Sequence, residues 1–179
     1  MSTSEMIRHR FSVEQYHQMI DAGIFTPDDR LELIHGELIK MSPINRRHAA
    51  CCGRISYLLE CLGRRAMKRI QDPITLADSE PQPDVAIVRW RDDFYVTGHP
   101  TPPDIYWVIE VADTTITYDR GVKVPLYLSA GIPEVWLINL DEDCLEVYRQ
   151  GKSEILRPGQ SLTPLQFREL VFSADELLG

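Results

Sequence analysis

The sequence lacks the features that would place it in a membrane or build it around disulfides. Across 179 residues, no apolar run approaches the roughly 18 needed to span a bilayer. Met1 to Arg10 is polar and mixed in charge, with no apolar stretch of signal-peptide type, so cytoplasmic residence is the default expectation. The four cysteines, Cys51, Cys52, Cys61 and Cys144, form no C-x-x-C pair, and no two histidines stand at zinc-finger spacing. Reduced, mostly buried thiols are expected, with a zinc site as the minor alternative. Repeats, low-complexity tracts and linkers are absent, which suits one domain over residues 1–179. Positive charge is also scarce: 19 Lys and Arg against 27 Asp and Glu, a net −8. That balance counts against nucleic-acid binding by bulk electrostatics, because phosphate neutralisation needs Lys and Arg at the contact.

The basic residues that are present are crowded. Arg46, Arg47, Arg54, Arg64, Arg65, Lys68 and Arg69 share one segment, opposed there only by Glu60. An acidic average can therefore hide a basic patch. Ile55, Leu58, Leu59 and Leu62 recur at helical spacing through this segment, so it reads as a long helix over 46–69. Upstream, Ser12 and Gln15 have capping-box spacing and open a first helix that stops near Gly23. Two short strands, Leu31–Ile34 and Glu37–Met41, turn at His35-Gly36.

After the basic segment come strand candidates at Ile70–Leu76, Val85–Arg89 and Ile105–Val111. The last is an unbroken apolar run, as expected of a strand buried on both faces. A helix over Asp119–Ala130 stops at Gly131. Mid-helix Pro125 suggests that its regular part begins near Val122. Glu134–Leu140 and Cys144–Arg149 form a hairpin around a solvated Asp141-Glu142-Asp143 turn. A strand near Phe167–Val171 and a helical turn at Ala174–Leu178 close the chain. The order implies an α/β domain around a mixed central β-sheet flanked by helices.

Two acids stand out against this background. Glu110 ends the buried apolar run, where a carboxylate is costly unless it is paired or bound to a cation. Asp84 follows Pro83 at the mouth of another strand, although Pro-Asp is also a common turn element. Carboxylates from two strands can converge on an oxygen-rich site suited to Mg²⁺ or Mn²⁺. Asp119, Lys123 and Tyr127 recur every four residues and share a helix face, so Lys123 can supply a cation to that site. A structural salt bridge between Glu110 and Lys123 is the competing reading. Tyr127, Trp107 and Trp136 read as core, and Trp90 as a loop residue.

At these residues the chain resembles the Uma-type restriction endonucleases of the PD-(D/E)XK superfamily. The resemblance is carried by Pro83-Asp84-Val85, Ile109-Glu110-Val111, Asp119 through Lys123 to Tyr127, and Ala130-Gly131-Ile132-Pro133-Glu134-Val135-Trp136. The opening hairpin, Leu31 to Leu38 with Met41-Ser42-Pro43, matches as well. It implies a restriction-endonuclease-like core, a metal-dependent phosphodiesterase and a homodimer. One departure matters: the usual Glu-x-Lys would put lysine at 112, where this chain has Ala112, and the resemblance moves that role to Lys123.

The expectation is thus a Mg²⁺- or Mn²⁺-dependent endonuclease acting on DNA. Asp84, Glu110 and the Val111 carbonyl would hold the metal, with Lys123 and Glu37 as further catalytic groups. Glu37 is assigned inward by the resemblance, although surface acids are common after such turns. Gln82, His48, Arg46 and Arg47 would touch substrate, with the basic face of helix 46–69 holding the backbone; loop capping for Gln82 and a surface role for His48 are the alternatives. The contrasting hypotheses are a catalytically silent nucleic-acid-binding or protein-interaction module on the same scaffold, and a carboxylate-pair hydrolase that needs no lysine.

Overall fold

The computed structural model describes residues 9–26 and 28–179, so most of the polar Met1–Arg10 stretch lies outside the described residues. Helix α1 spans Val13–Asp21 and starts in the expected capping box between Ser12 and Gln15. Strands β1 (Leu31–Ile34) and β2 (Glu37–Lys40) form an antiparallel hairpin that pairs Glu32 with Ile39. At its turn Gly36 has φ +76°, and a Cβ there would stand 2.7 Å from Arg10 Cβ and 2.9 Å from the Phe11 carbonyl oxygen. Only glycine permits that approach.

Helix α2 spans Arg46–Leu58, with Asn45 as its N-cap. The expected helix to residue 69 is too long. A 3₁₀ segment runs over Leu59–Arg65, broken by Gly63 at φ +53°, and strand β3 begins at Ala66 and ends at Ile70. The strand expected at Ile70–Leu76 is therefore displaced upstream. Its sequence keeps an apolar spacing that either element satisfies, and the glycine decides between them.

The remaining strands of the main sheet are β4 (Val85–Arg89), β5 (Ile105–Ala112), β6 (Glu134–Asn139), β7 (Cys144–Arg149) and β8 (Lys152–Leu156). The sheet has six strands in the order β3-β4-β5-β6-β7-β8. Only the β5–β6 pair is parallel; the other four pairs are antiparallel. Helix α3 makes the crossover within that pair. It consists of an α-turn at Ile116–Tyr118, a π-turn at Asp119–Lys123 and an α-helix at Val124–Ser129. Pro125 falls in the first turn of this last segment, as its missing N–H favours.

The strand expected at Phe167–Val171 lies further on. Strand β10 (Phe172–Ser173) pairs with β9 (Ser161–Leu162), and α4 covers Ala174–Leu178. Strand alternation splits the core in two. Val85, Ile87, Trp107, Ile109, Val111, Trp136 and Ile138 face α2 and α4. Ala86, Val88, Val108, Ala112, Val135 and Leu137 face the other way, against Val124, Leu126 and Tyr127 of α3. Glu110 shares the second face by period. It is a carboxylate pointed into the layer beneath α3. Among the described residues, no helix is long and apolar enough to cross a membrane.

Candidate active site

Strands β4 and β5 are antiparallel, and Val85 pairs with Ile109, so the start of one meets the end of the other. This register places Asp84 beside Glu110. The Val111 backbone N–H donates to Asp84 Oδ2 at 2.8 Å, fixing the aspartate to the neighbouring strand. Its Oδ1 lies 3.0 Å from His48 Nε2 and 3.4 Å from Gln71 Nε2. His48 arrives from the first turn of α2, where its backbone N–H donates to the Asn45 cap.

Lys123 comes from the π-turn of α3. Its Nζ lies 3.4 Å from Glu110 Oε1 and 3.1 Å from Glu32 Oε2, with all three side chains buried. One turn further on, the Tyr127 hydroxyl donates to Glu110 Oε1 at 2.5 Å. Tyr127 is the core residue expected, and it also orients the carboxylate. Asp119, the fourth acid, accepts from Thr115 Oγ1 at 2.5 Å.

All of these groups except Tyr127 line one open cavity of about 630 Å³, which also includes Gln82, Val111, Arg30 and Lys40. Four carboxylates (Glu32, Asp84, Glu110 and Asp119) share it with one buried ammonium. Burial pushes the Glu110 carboxyl well above the usual range, Asp84 and Asp119 add to this, and Lys123 and the Tyr127 hydroxyl oppose it. Asp119 is raised mainly by burial. Burial alone would lower Lys123, but Glu110, Glu32, Asp119 and Asp84 outweigh it and hold the ammonium charged. The acidic surplus and hard oxygen donors fit a divalent cation, whose charge offsets the repulsion that Lys123 leaves uncompensated.

The structure brings Asp84, Glu110, Lys123, His48, Gln82 and Val111 to one cavity, but not every expected residue joins them. Glu37 is absent from its lining. It lies on the same face of the hairpin as Ile39, nearer the turn, and the acid that reaches the cavity is Glu32, opposite Ile39. Gln82 is committed to holding β1: its backbone N–H donates to Glu32 Oε2 and its amide to the Leu31 carbonyl.

Nor does the basic segment present one face. Arg47 donates to Asp113 and to the Leu140 carbonyl, Arg65 pairs with Glu169, Lys68 with Glu60 and Arg69 with Asp72. Arg46 is exposed and outside the cavity. The segment changes from helix to 3₁₀ to strand, which scatters its side chains. The other cations that line the cavity are Arg30 and Lys40.

A six-stranded mixed sheet with two acids at adjoining strand ends, one crossover helix and a lysine from that helix has the form of a restriction-endonuclease-like core. The chain belongs to the Uma2 family, described as "Putative restriction endonuclease", whose model matches residues 13–175. In fold it is similar to the crystal structure of a "putative nuclease belonging to DUF820" from Anabaena variabilis. The TM-score is 0.74 at 20% identity, covering 94% of this chain and 97% of that one. No curated protein matches the chain in sequence.

Proposed function

We propose that the protein is a Mg²⁺- or Mn²⁺-dependent endonuclease that hydrolyses DNA phosphodiester bonds. The observation that supports this best is the convergence of Asp84, Glu110 and Lys123 on one cavity, with the lysine ammonium 3.4 Å from the glutamate. Asp84 and Glu110 would hold the ion, with the Val111 carbonyl as a further ligand. When bound, such an ion lowers the pKa of a coordinated water and offsets charge on the scissile phosphate.

The chain's own residues supply the rest. Lys123 presents a fixed positive charge that orients the attacking water and stabilises the charge building on phosphate oxygens. Glu32 and Glu110 hold that ammonium from two sides, which sets its position without a lysine at 112. Tyr127 holds the Glu110 carboxylate by one oxygen and so fixes its orientation toward the ion. Arg30 and Lys40, which also line the cavity, would neutralise flanking phosphates.

The test is cleavage of plasmid and linear DNA with Mn²⁺ or Mg²⁺, with Asp84→Ala and Glu110→Ala as controls. The wild-type protein should cut only with the metal, and both variants should be inactive. Cleavage that survives both substitutions overturns the assignment.

A further inference from the structure

A third ligand chemistry meets at Asp84. His48 and Cys52 stand four residues apart on α2 and share one face of the helix. The imidazole bridges its two neighbours: Nε2 lies 3.0 Å from Asp84 Oδ1, and Nδ1 lies 3.6 Å from Cys52 Sγ. One ligand atom from each residue lies within 4.8 Å of the other two. We propose that His48, Cys52 and Asp84 form a second metal site, one that takes Zn²⁺ and shares Asp84 with the Mg²⁺/Mn²⁺ site.

Donor chemistry separates the two sites. A hard cation at Asp84 and Glu110 is held by oxygen, whereas a thiol and an imidazole select a borderline-soft ion. Zinc accepts Cys, His and Asp at about 2.0–2.3 Å and tolerates three protein ligands with a fourth position open. His48 and Asp84 both line the cavity, so the open position and the route in are the cavity itself. Cys52 is buried behind them. Its thiol must lose a proton to solvent as the bond to zinc forms, and coordination to a dication provides the driving force.

The other cysteines are set up differently. Cys51, its neighbour, points its sulfur at the Leu177 carbonyl, and Cys61 is exposed. The shared aspartate has a consequence that rests on the nuclease reading: an ion held by His48 and Cys52 withdraws Asp84 from the hard-cation site. Zinc would then act as an inhibitor that defines which metal the site can use.

Cobalt(II) titration of the reduced full-length protein tests the site directly, because a thiolate–cobalt bond gives a near-ultraviolet charge-transfer band. One equivalent of cobalt should produce the band and one of Zn²⁺ should abolish it. Cys52→Ser and His48→Gln should each lose it, whereas Cys51→Ser, Cys61→Ser and Glu110→Gln should retain it. Two variants guard against a folding defect in either, with circular dichroism confirming the fold. No band in the wild-type protein, or a band that persists in Cys52→Ser or follows Cys61, overturns the proposal. The Glu110→Gln arm separates the two readings: a retained cobalt band with no Mn²⁺-dependent cleavage by the wild-type protein would sink the nuclease proposal alone.

Discussion

Lys123 Nζ lies 3.4 Å from Glu110 Oε1, and both side chains are buried although they come from different elements. A buried pair is costly to form but far costlier to break, because removing one partner strands the other. Lys123→Ala leaves Glu32 and Glu110 facing one another without a cation. Its unfolding free energy should fall by about 3–5 kcal/mol in urea titration. Mn²⁺ should raise the melting temperature of this variant more than that of the wild type, since the ion replaces the lost charge. Cleavage should drop on the order of 10²–10³-fold, the cost of losing one preorganised charge-stabilising group. Unchanged stability would mean that the ion pair contributes nothing.

Glu32 touches the lysine ammonium at 3.1 Å, and under the proposed function it acts through that contact. Glu32→Gln keeps the shape and the contact with the Gln82 N–H but removes the charge. The expected result is a lower turnover number with Mn²⁺ affinity changed by less than about tenfold, read by calorimetry beside cleavage rates. A large loss of Mn²⁺ affinity would make Glu32 a metal ligand instead.

The two carboxylate strands were legible in the sequence, and the reasons are physical. Glu110 ends an apolar run, where burial demands a partner, and Lys123 shares a helical spacing with Asp119 and Tyr127. Glu32 was not legible. In Leu-Glu-Leu-Ile a single acid reads as the solvent side of a strand, and only its contacts with Lys123 and Gln82 turn it inward. Strand β3 was hidden for a different reason: the apolar spacing of the helix before it continues past Gly63, and Lys68 and Arg69 suit an exposed helix as well as an edge strand. Strand β8 is exposed at every position but the last, so no alternation marked it.

Pro125 sits two residues after Lys123, and the π-turn before it closes with the Val124 N–H donating to the Asp119 carbonyl. A proline here disfavours regular α-helix, because its ring would clash with the Gly121 carbonyl. Pro125→Ala removes that obstacle and lets the turn relax to α-helical register, rotating Lys123 away from Glu110. We expect a melting temperature equal to or above that of the wild type, together with slower cleavage. A more stable variant with full activity would show that the π-turn does not position the lysine.

Away from the cavity, Glu146 is held by Arg120 at 2.5 Å and by the Tyr148 hydroxyl. Burial pushes its carboxyl up, but these bonds outweigh it and keep it below the usual value of 4.5. A folded-state value below the unfolded one adds stability above the ordinary carboxylate range, and that stability is lost as pH falls through the folded value. Arg120→Ala should reverse the sign, since burial is then left to act. Thermal melts should show the variant well below the wild type at neutral pH and converging with it near about pH 3. A constant gap across that range would contradict the assignment.

The central claim is that Asp84 and Glu110 hold a divalent ion within reach of Lys123. Anomalous scattering from a crystal grown with Mn²⁺ tests it most directly. A manganese peak bonded to carboxylate oxygens of both Asp84 and Glu110, with the Lys123 ammonium beside it, is the expected result. A saturated crystal with no peak between those two residues, or with its peak on other side chains, would contradict it.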